Sequence, residues 1–215
     1  MLRCALLLAL FVAPSGAGET IDRIAVTVGK QAITESAIAL EIRLVAFLNG
    51  DAPDFGPANR KATAERMLDQ VLMRNEMSLS QYPMPEVSAV EELLRQVKSQ
   101  RFSSEAEYRG ALRKYGIREE ELNEHLLKQI STLRFIDIRF RPGVQLLETE
   151  MREYYEKRLV AEWQNEGRKP VPSFEEWRPA IERALVEERV NRLVESWMQE
   201  TRSRTRIQFM EKAFQ

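Results

Sequence analysis

His125 is the only histidine in the sequence and Cys4 the only cysteine. A zinc centre needs several His, Cys or carboxylate ligands at short spacing. Neither residue has such companions. His125 sits between Glu124 and Leu126 in a helical stretch, where an imidazole is ordinarily a surface or partly buried side chain. Carboxylates are plentiful, as in Glu119-Glu120-Glu121 and Glu187-Glu188. They alternate with Lys and Arg at helical spacing, the pattern of a solvated face and not of an acid/base pair. No phosphate-cradling loop, nucleophile elbow or dinucleotide fingerprint occurs. The run Arg202–Arg206 (RSRTR) is the densest basic stretch. It falls at a predicted helix end, where cations complement the helix dipole. These residues predict no enzyme, no metal and no cofactor. What remains is binding.

Side chains suited to binding are softer and apolar. Met73 and Met77 lie four residues apart, off the stripe formed by Leu68, Val71, Leu72 and Leu79. Methionine is flexible and polarisable, which suits varied partners. Phe47, Leu48 and Phe55 surround the loop that precedes this helix, and Tyr154, Tyr155 and Trp163 precede a second break. The eight residues Phe47, Leu48, Phe55, Met73, Met77, Tyr154, Tyr155 and Trp163 are the candidate partner-binding set. Each of them also suits core packing.

The elements that must position these residues are mostly helices. Charged residues make up 30% and hydrophobics 44%, with nine Gly and nine Pro. That balance favours amphipathic helices over an all-β fold and is too apolar for disorder. A formal net charge of −1 gives no drive toward nucleic acid. Ile24, Val26 and Val28 alternate, Gly29-Lys30 turns, and Gln31-Ala32-Ile33 returns, predicting a β-hairpin. Thr34 caps a helix over 35–48. Further helices are expected over 60–81, from the Ser88 box to 101, from the Ser104 box to Tyr115, over 117–140 and over 144–160. The last runs from the Ser173 box to Arg202. Thr205–Phe209 alternates as a terminal strand. A lone strand leaves backbone groups unpaired. The two chain ends are therefore expected to meet in one small sheet.

The N-terminus reads as an export signal. Arg3 supplies charge, Cys4–Ala13 is apolar, and Ser15 and Ala17 are small residues at a cleavage spacing. The run is about half the length a spanning helix needs, so stable membrane insertion is not expected. Cleavage near Ala17 removes the sole cysteine. The expected organisation is a signal over 1–17 and one domain over 18–215. Within it are an N-terminal part over 18–160, a linker over 161–172, and a C-terminal helix and strand over 173–209.

In order along the chain, several blocks resemble the SurA-type periplasmic chaperones. Ile21–Ser36 (IDRIAVTVGKQAITES) is similar to their opening strand, turn and return. Met67–Leu72, Val87-Ser88, Phe102–Phe140, Glu150–Tyr155 and Ser173–Phe209 resemble the helices and strand that follow. Many relatives insert a parvulin prolyl-isomerase domain between the last two blocks. Here that interval is only Glu156–Pro172, without the parvulin glycine-rich stretches or paired histidines.

The resemblance implies a mainly α, SurA/trigger-factor-like chaperone module whose N-terminal hairpin pairs with a C-terminal strand. It implies an ATP-independent periplasmic holdase for unfolded exported chains, with outer-membrane β-barrel precursors as a client class. The alternative is a non-catalytic envelope assembly module that holds one dedicated partner or dimerises through the Trp177/Trp197 helix.

Overall fold

The computed structural model describes residues 22–80, 82, 87–167 and 169–215. The expected export signal over 1–17, with Cys4 and the cleavage point, lies outside the described residues. Strands β1 (Ile24–Val28) and β2 (Gln31–Thr34) form the expected hairpin, joined at Gly29, whose φ is 60°. That φ is the left-handed conformation a two-residue hairpin turn demands. Strand β3 (Ile207–Phe209) pairs antiparallel with β1, so the order is β2-β1-β3. The N-terminal hairpin and the C-terminal strand meet as the unpaired-strand argument required.

The sheet differs from its sequence reading in one respect. Its register shifts between Ile24 and Val26. Such a bulge turns strict alternation off for one residue. Ala25 and Val26 are therefore both buried, and Ile24 faces solvent.

Among the described residues, eight helices lie between the hairpin and β3: α1 (Glu35–Asn49), α2 (Pro57–Leu79), α3 (Val87–Arg101), α4 (Glu105–Tyr115), α5 (Glu119–Arg139), α6 (Glu148–Tyr154), α7 (Val160–Asn165) and α8 (Phe174–Arg204). Their boundaries follow from capping chemistry. Thr34 Oγ1 accepts the Ala37 N–H at 3.3 Å, and Ser104 Oγ accepts that of Glu107 at 3.2 Å. Ser173 and Glu176 cap each other's backbone at the start of α8. Gly50 ends α1 at φ 84°. Helix α2 starts at Pro57, earlier than expected, because proline is well suited to a first helical position.

Two boundaries in the last third correct the expected ones. The predicted 144–160 helix begins only at Glu148, after a short 3-10 turn at Arg141–Gly143. It then runs past Val160, through a π-helical turn at Tyr155–Leu159, to the end of α7 at Asn165. The expected 161–172 linker is thus helical for its first part, and Trp163 belongs to a helix.

Three apolar clusters hold these elements. The first joins the sheet, the first half of α1, α2, the C-terminal half of α8 and Phe135 of α5. The second joins α1, α3, α4 and the first half of α5 around Phe47 and Tyr108. The third is a small arm in which Met151, Tyr154, Tyr155 and Trp177 pack around Phe174 and Ile181. Helices α1 and α5 each span two clusters. His125 staples them: its Nδ1 lies 3.0 Å from Glu41 on α1, and its Nε2 lies 2.8 Å from Gln129. The imidazole is 4% exposed, deeper than the sequence suggested, with one ring nitrogen engaged across to α1 and the other within α5.

Candidate functional site

The C-terminal half of α2 and the middle of α5 do not close against each other. Arg74, Met77 and Ser78 of α2, Tyr82, and Leu127, Lys128 and Ser131 of α5 line a groove of about 360 Å³. Its size falls at the lower end of ordinary ligand clefts. A second groove, of about 270 Å³, lies between α3 and α5 and is lined by Val90, Glu91, Leu94, Asn123, Glu124 and Leu127. Leu127 forms a wall of both.

Local hydrogen bonding makes the main groove more apolar than its residue types suggest. Ser131 Oγ donates to the Leu127 carbonyl at 2.7 Å, and Ser78 Oγ donates to the Arg74 carbonyl at 2.9 Å. Each hydroxyl is turned back onto its own helix, which leaves carbon facing the groove. Tyr82 is fixed by an edge contact with Phe135, ring centroids 5.1 Å apart, and by Arg139 near its hydroxyl. Met77 is buried in the first cluster, yet its side chain reaches the groove floor. A soft methionine, an anchored tyrosine and a leucine make an adaptable surface.

The rims are charged and of opposite sign. Among the described residues, the main groove carries Arg74 and Lys128 and no carboxylate, and the second carries Glu91 and Glu124 and no cation. Lys128 and Glu124 form a loose pair at 3.7 Å on exposed side chains. Neither Arg74 nor Glu91 has a side-chain partner among the described residues.

The structure disperses the eight sequence candidates. Phe47 is 0% exposed, stacked on Phe102 and edge-on to Tyr108 and Tyr115, and Leu48 packs against the same cluster. Phe47 is thus a core residue, because α3 and α4 fold over that end of α1. Met73 and Met77 are not on a free face of α2. They share one core with Leu68, Val71 and Leu72, and it is Leu79 that stands out, 82% exposed. The stripe runs through the methionines because α8 and α5 pack on that side. Met73 lines a separate cleft of mixed character with Asp69, Val194, Met198 and Arg202.

Phe55 is 46% exposed in the loop before α2, away from both grooves. Tyr154, Tyr155 and Trp163 belong to the arm. Tyr155 donates its hydroxyl to the Pro172 carbonyl at 2.7 Å, Arg158 lies over the Tyr154 ring, and Trp163 meets Trp177. Of the eight, only Met77 lines the main groove. Tyr82, Leu127, Val90 and Leu94 were not singled out by sequence. A signal existed for Tyr82, an isolated aromatic in the proline-marked break after α2.

The helix proposed for dimerisation uses both its tryptophans within the chain. Trp177 packs on Trp163, and Trp197 packs on Phe135 and Phe140. Among the described residues no group of His, Cys, Asp and Glu side chains is placed to hold a metal ion. Among them, too, no helix is long and apolar enough to cross a membrane. No protein-family model matches the sequence, and a search of curated proteins finds no match.

Proposed function

We propose that the chain is a holdase of the cell envelope. It binds apolar segments of unfolded exported polypeptides, works without nucleotide, and carries out no covalent chemistry. The observation that supports this reading is the apolar groove between α2 and α5, walled by Met77, Tyr82 and Leu127, with its serine hydroxyls turned back onto their own helices. Unfolded chains aggregate through exposed apolar side chains and unpaired strand edges. A shallow cleft that shields a few side chains at a time slows that encounter. Its contacts are few, so release is fast and the client stays free to fold.

The likeness of the sequence blocks to SurA-type chaperones supports the same reading. So does the three-part export pattern at the N-terminus. On that basis the working compartment is the periplasm and β-barrel precursors are among the clients. The short interval between α6 and α8 holds no room for a parvulin domain, so prolyl isomerisation is not among the proposed activities.

The test is suppression of aggregation by the purified chain, measured by light scattering with several unrelated unfolded proteins. Protection of most of them near equimolar ratio is the expected result. Protection of none, together with tight binding to one envelope protein, would replace this reading with a dedicated assembly module. Catalysis of proline isomerisation in a peptide above background would overturn the non-enzyme reading.

A further inference from the structure

Resting on the holdase reading, we infer that the two grooves form one polarised site. Its occupant is a short polypeptide segment with an apolar centre, an acidic flank at the α2 end and a basic flank at the α3 end. Leu127 is common to both grooves, so an apolar segment that fills one continues over this residue into the other. Apolar lining alone accepts either chain direction. The rims do not. Arg74 and Lys128 edge the first groove, and Glu91 and Glu124 edge the second.

Two of these charges pair with each other, Lys128 with Glu124, at 3.7 Å. An exposed pair of that length is weak and exchanges readily for a better partner. Arg74 and Glu91 are the decisive ones. Both are exposed, and neither is satisfied by a side chain among the described residues. A guanidinium at a groove rim prefers a carboxylate, which it can bind through two parallel hydrogen bonds. A carboxylate at the opposite rim prefers Lys or Arg. The whole chain is near neutral, so this preference is local to the site and not a general attraction. Polar complementarity of this kind fixes register and direction more than it adds affinity.

Dye-labelled peptides with one shared apolar centre test this by fluorescence anisotropy. Four flank patterns are needed: acidic then basic, basic then acidic, all acidic, and all basic. The purified chain is expected to bind both mixed peptides, each in the direction that sets its acidic flank at Arg74, about tenfold more tightly than the all-acidic and all-basic ones at low salt. High salt is expected to erase the difference. The variant R74E, altered only at an exposed side chain, is expected to fold as the parent does and to move the preference toward the all-basic peptide. A like-charged peptide bound by the parent as tightly as the mixed ones would overturn the polarity while leaving the holdase reading intact. So would a preference for mixed flanks that R74E leaves unchanged. Suppressed aggregation without binding of any peptide would place the client site elsewhere. Neither peptide binding nor suppression would remove the holdase reading itself.

Discussion

Trp163 on α7 meets Trp177 on α8 edge to face, with ring centroids 5.5 Å apart. This contact closes the arm, and the Trp163 indole N–H adds a hydrogen bond to the Pro170 carbonyl at 3.1 Å. The arm has its own small core, separate from the main body. Trp163→Ala is therefore expected to loosen the arm and leave the body folded, at a cost of about 1 kcal/mol. Tryptophan fluorescence checks this: Trp177 becomes wetter and emission shifts to longer wavelength. An unshifted spectrum would show that the pair does not hold the arm.

Arg101, the last residue of α3, donates to the carbonyl oxygens of both Phe47 and Leu48 at the end of α1. Its guanidinium also lies over the Phe47 and Phe102 rings, 5.6 Å from each centroid. It fills the space beside Gly50, where an added Cβ would sit 2.9 Å from Arg101 Nη2. Arg101→Ala leaves two helix-end carbonyls without this donor and is expected to cost about 2 kcal/mol. Arg101→Lys is expected to recover only part, since an ammonium cannot reproduce the flat fork. Denaturant unfolding measures both. A fully restored lysine variant would contradict the role given to the planar group.

Tyr108 is fully buried, and its hydroxyl makes no hydrogen bond of normal geometry, although the Glu119 carboxylate stands close by. Burial, followed by the nearby Glu119 and Glu105 carboxylates, pushes its ionisation well above the ordinary tyrosine range. An unsatisfied buried hydroxyl costs stability. Tyr108→Phe is expected to leave unfolding free energy unchanged or to raise it by up to about 1 kcal/mol. A loss of more than about 1 kcal/mol would contradict the assignment of the hydroxyl as unpaired.

Several carboxylates that cap helices titrate below their usual range. The Ser36 hydroxyl, with Thr34 behind it, lowers Asp22. The Arg118 side chain and then its backbone N–H lower Glu121. The Leu147 backbone lowers Glu150, and the Ser173 backbone and hydroxyl lower Glu176. A folded pKa below the unfolded one means that the unfolded chain binds more protons on acidification. The caps thus contribute stability above the ordinary carboxylate pKa, near 4, and lose it as pH falls through the folded values. The melting temperature is expected to be level from neutral to mildly acidic pH and to fall below that range. A variant carrying D22N, E121Q, E150Q and E176Q is expected to start lower and lose less. An equal acid loss in the variant would contradict the capping account.

Much of the fold was legible because its cues are local. Thr34, Ser104 and Ser173 each cap a backbone they adjoin, and Gly50 adopts a backbone few other residues tolerate. The sheet was legible for a different reason: Thr205–Phe209 had one available partner. The site was not legible, because burial is decided between elements. Helical spacing places Met73, Met77 and Leu79 around α2, but only the arrival of α5 and α8 makes the methionines core and Leu79 exposed. Phe47 reads as a loop-edge aromatic until α3 and α4 cover it. Leu127 gives no sign in sequence that two grooves share it.

The central claim is that the groove around Leu127 binds unfolded segments. Its most direct test is the comparison of the purified chain with Leu127→Glu in aggregation suppression, with circular dichroism and thermal unfolding as the folding control. Leu127 is only partly buried, so the variant is expected to fold. The account predicts that the parent protects unrelated unfolded proteins and that Leu127→Glu, equally folded, needs about tenfold more protein to match it, as expected for a charge set into an apolar contact surface. Equal protection by the folded variant would contradict it.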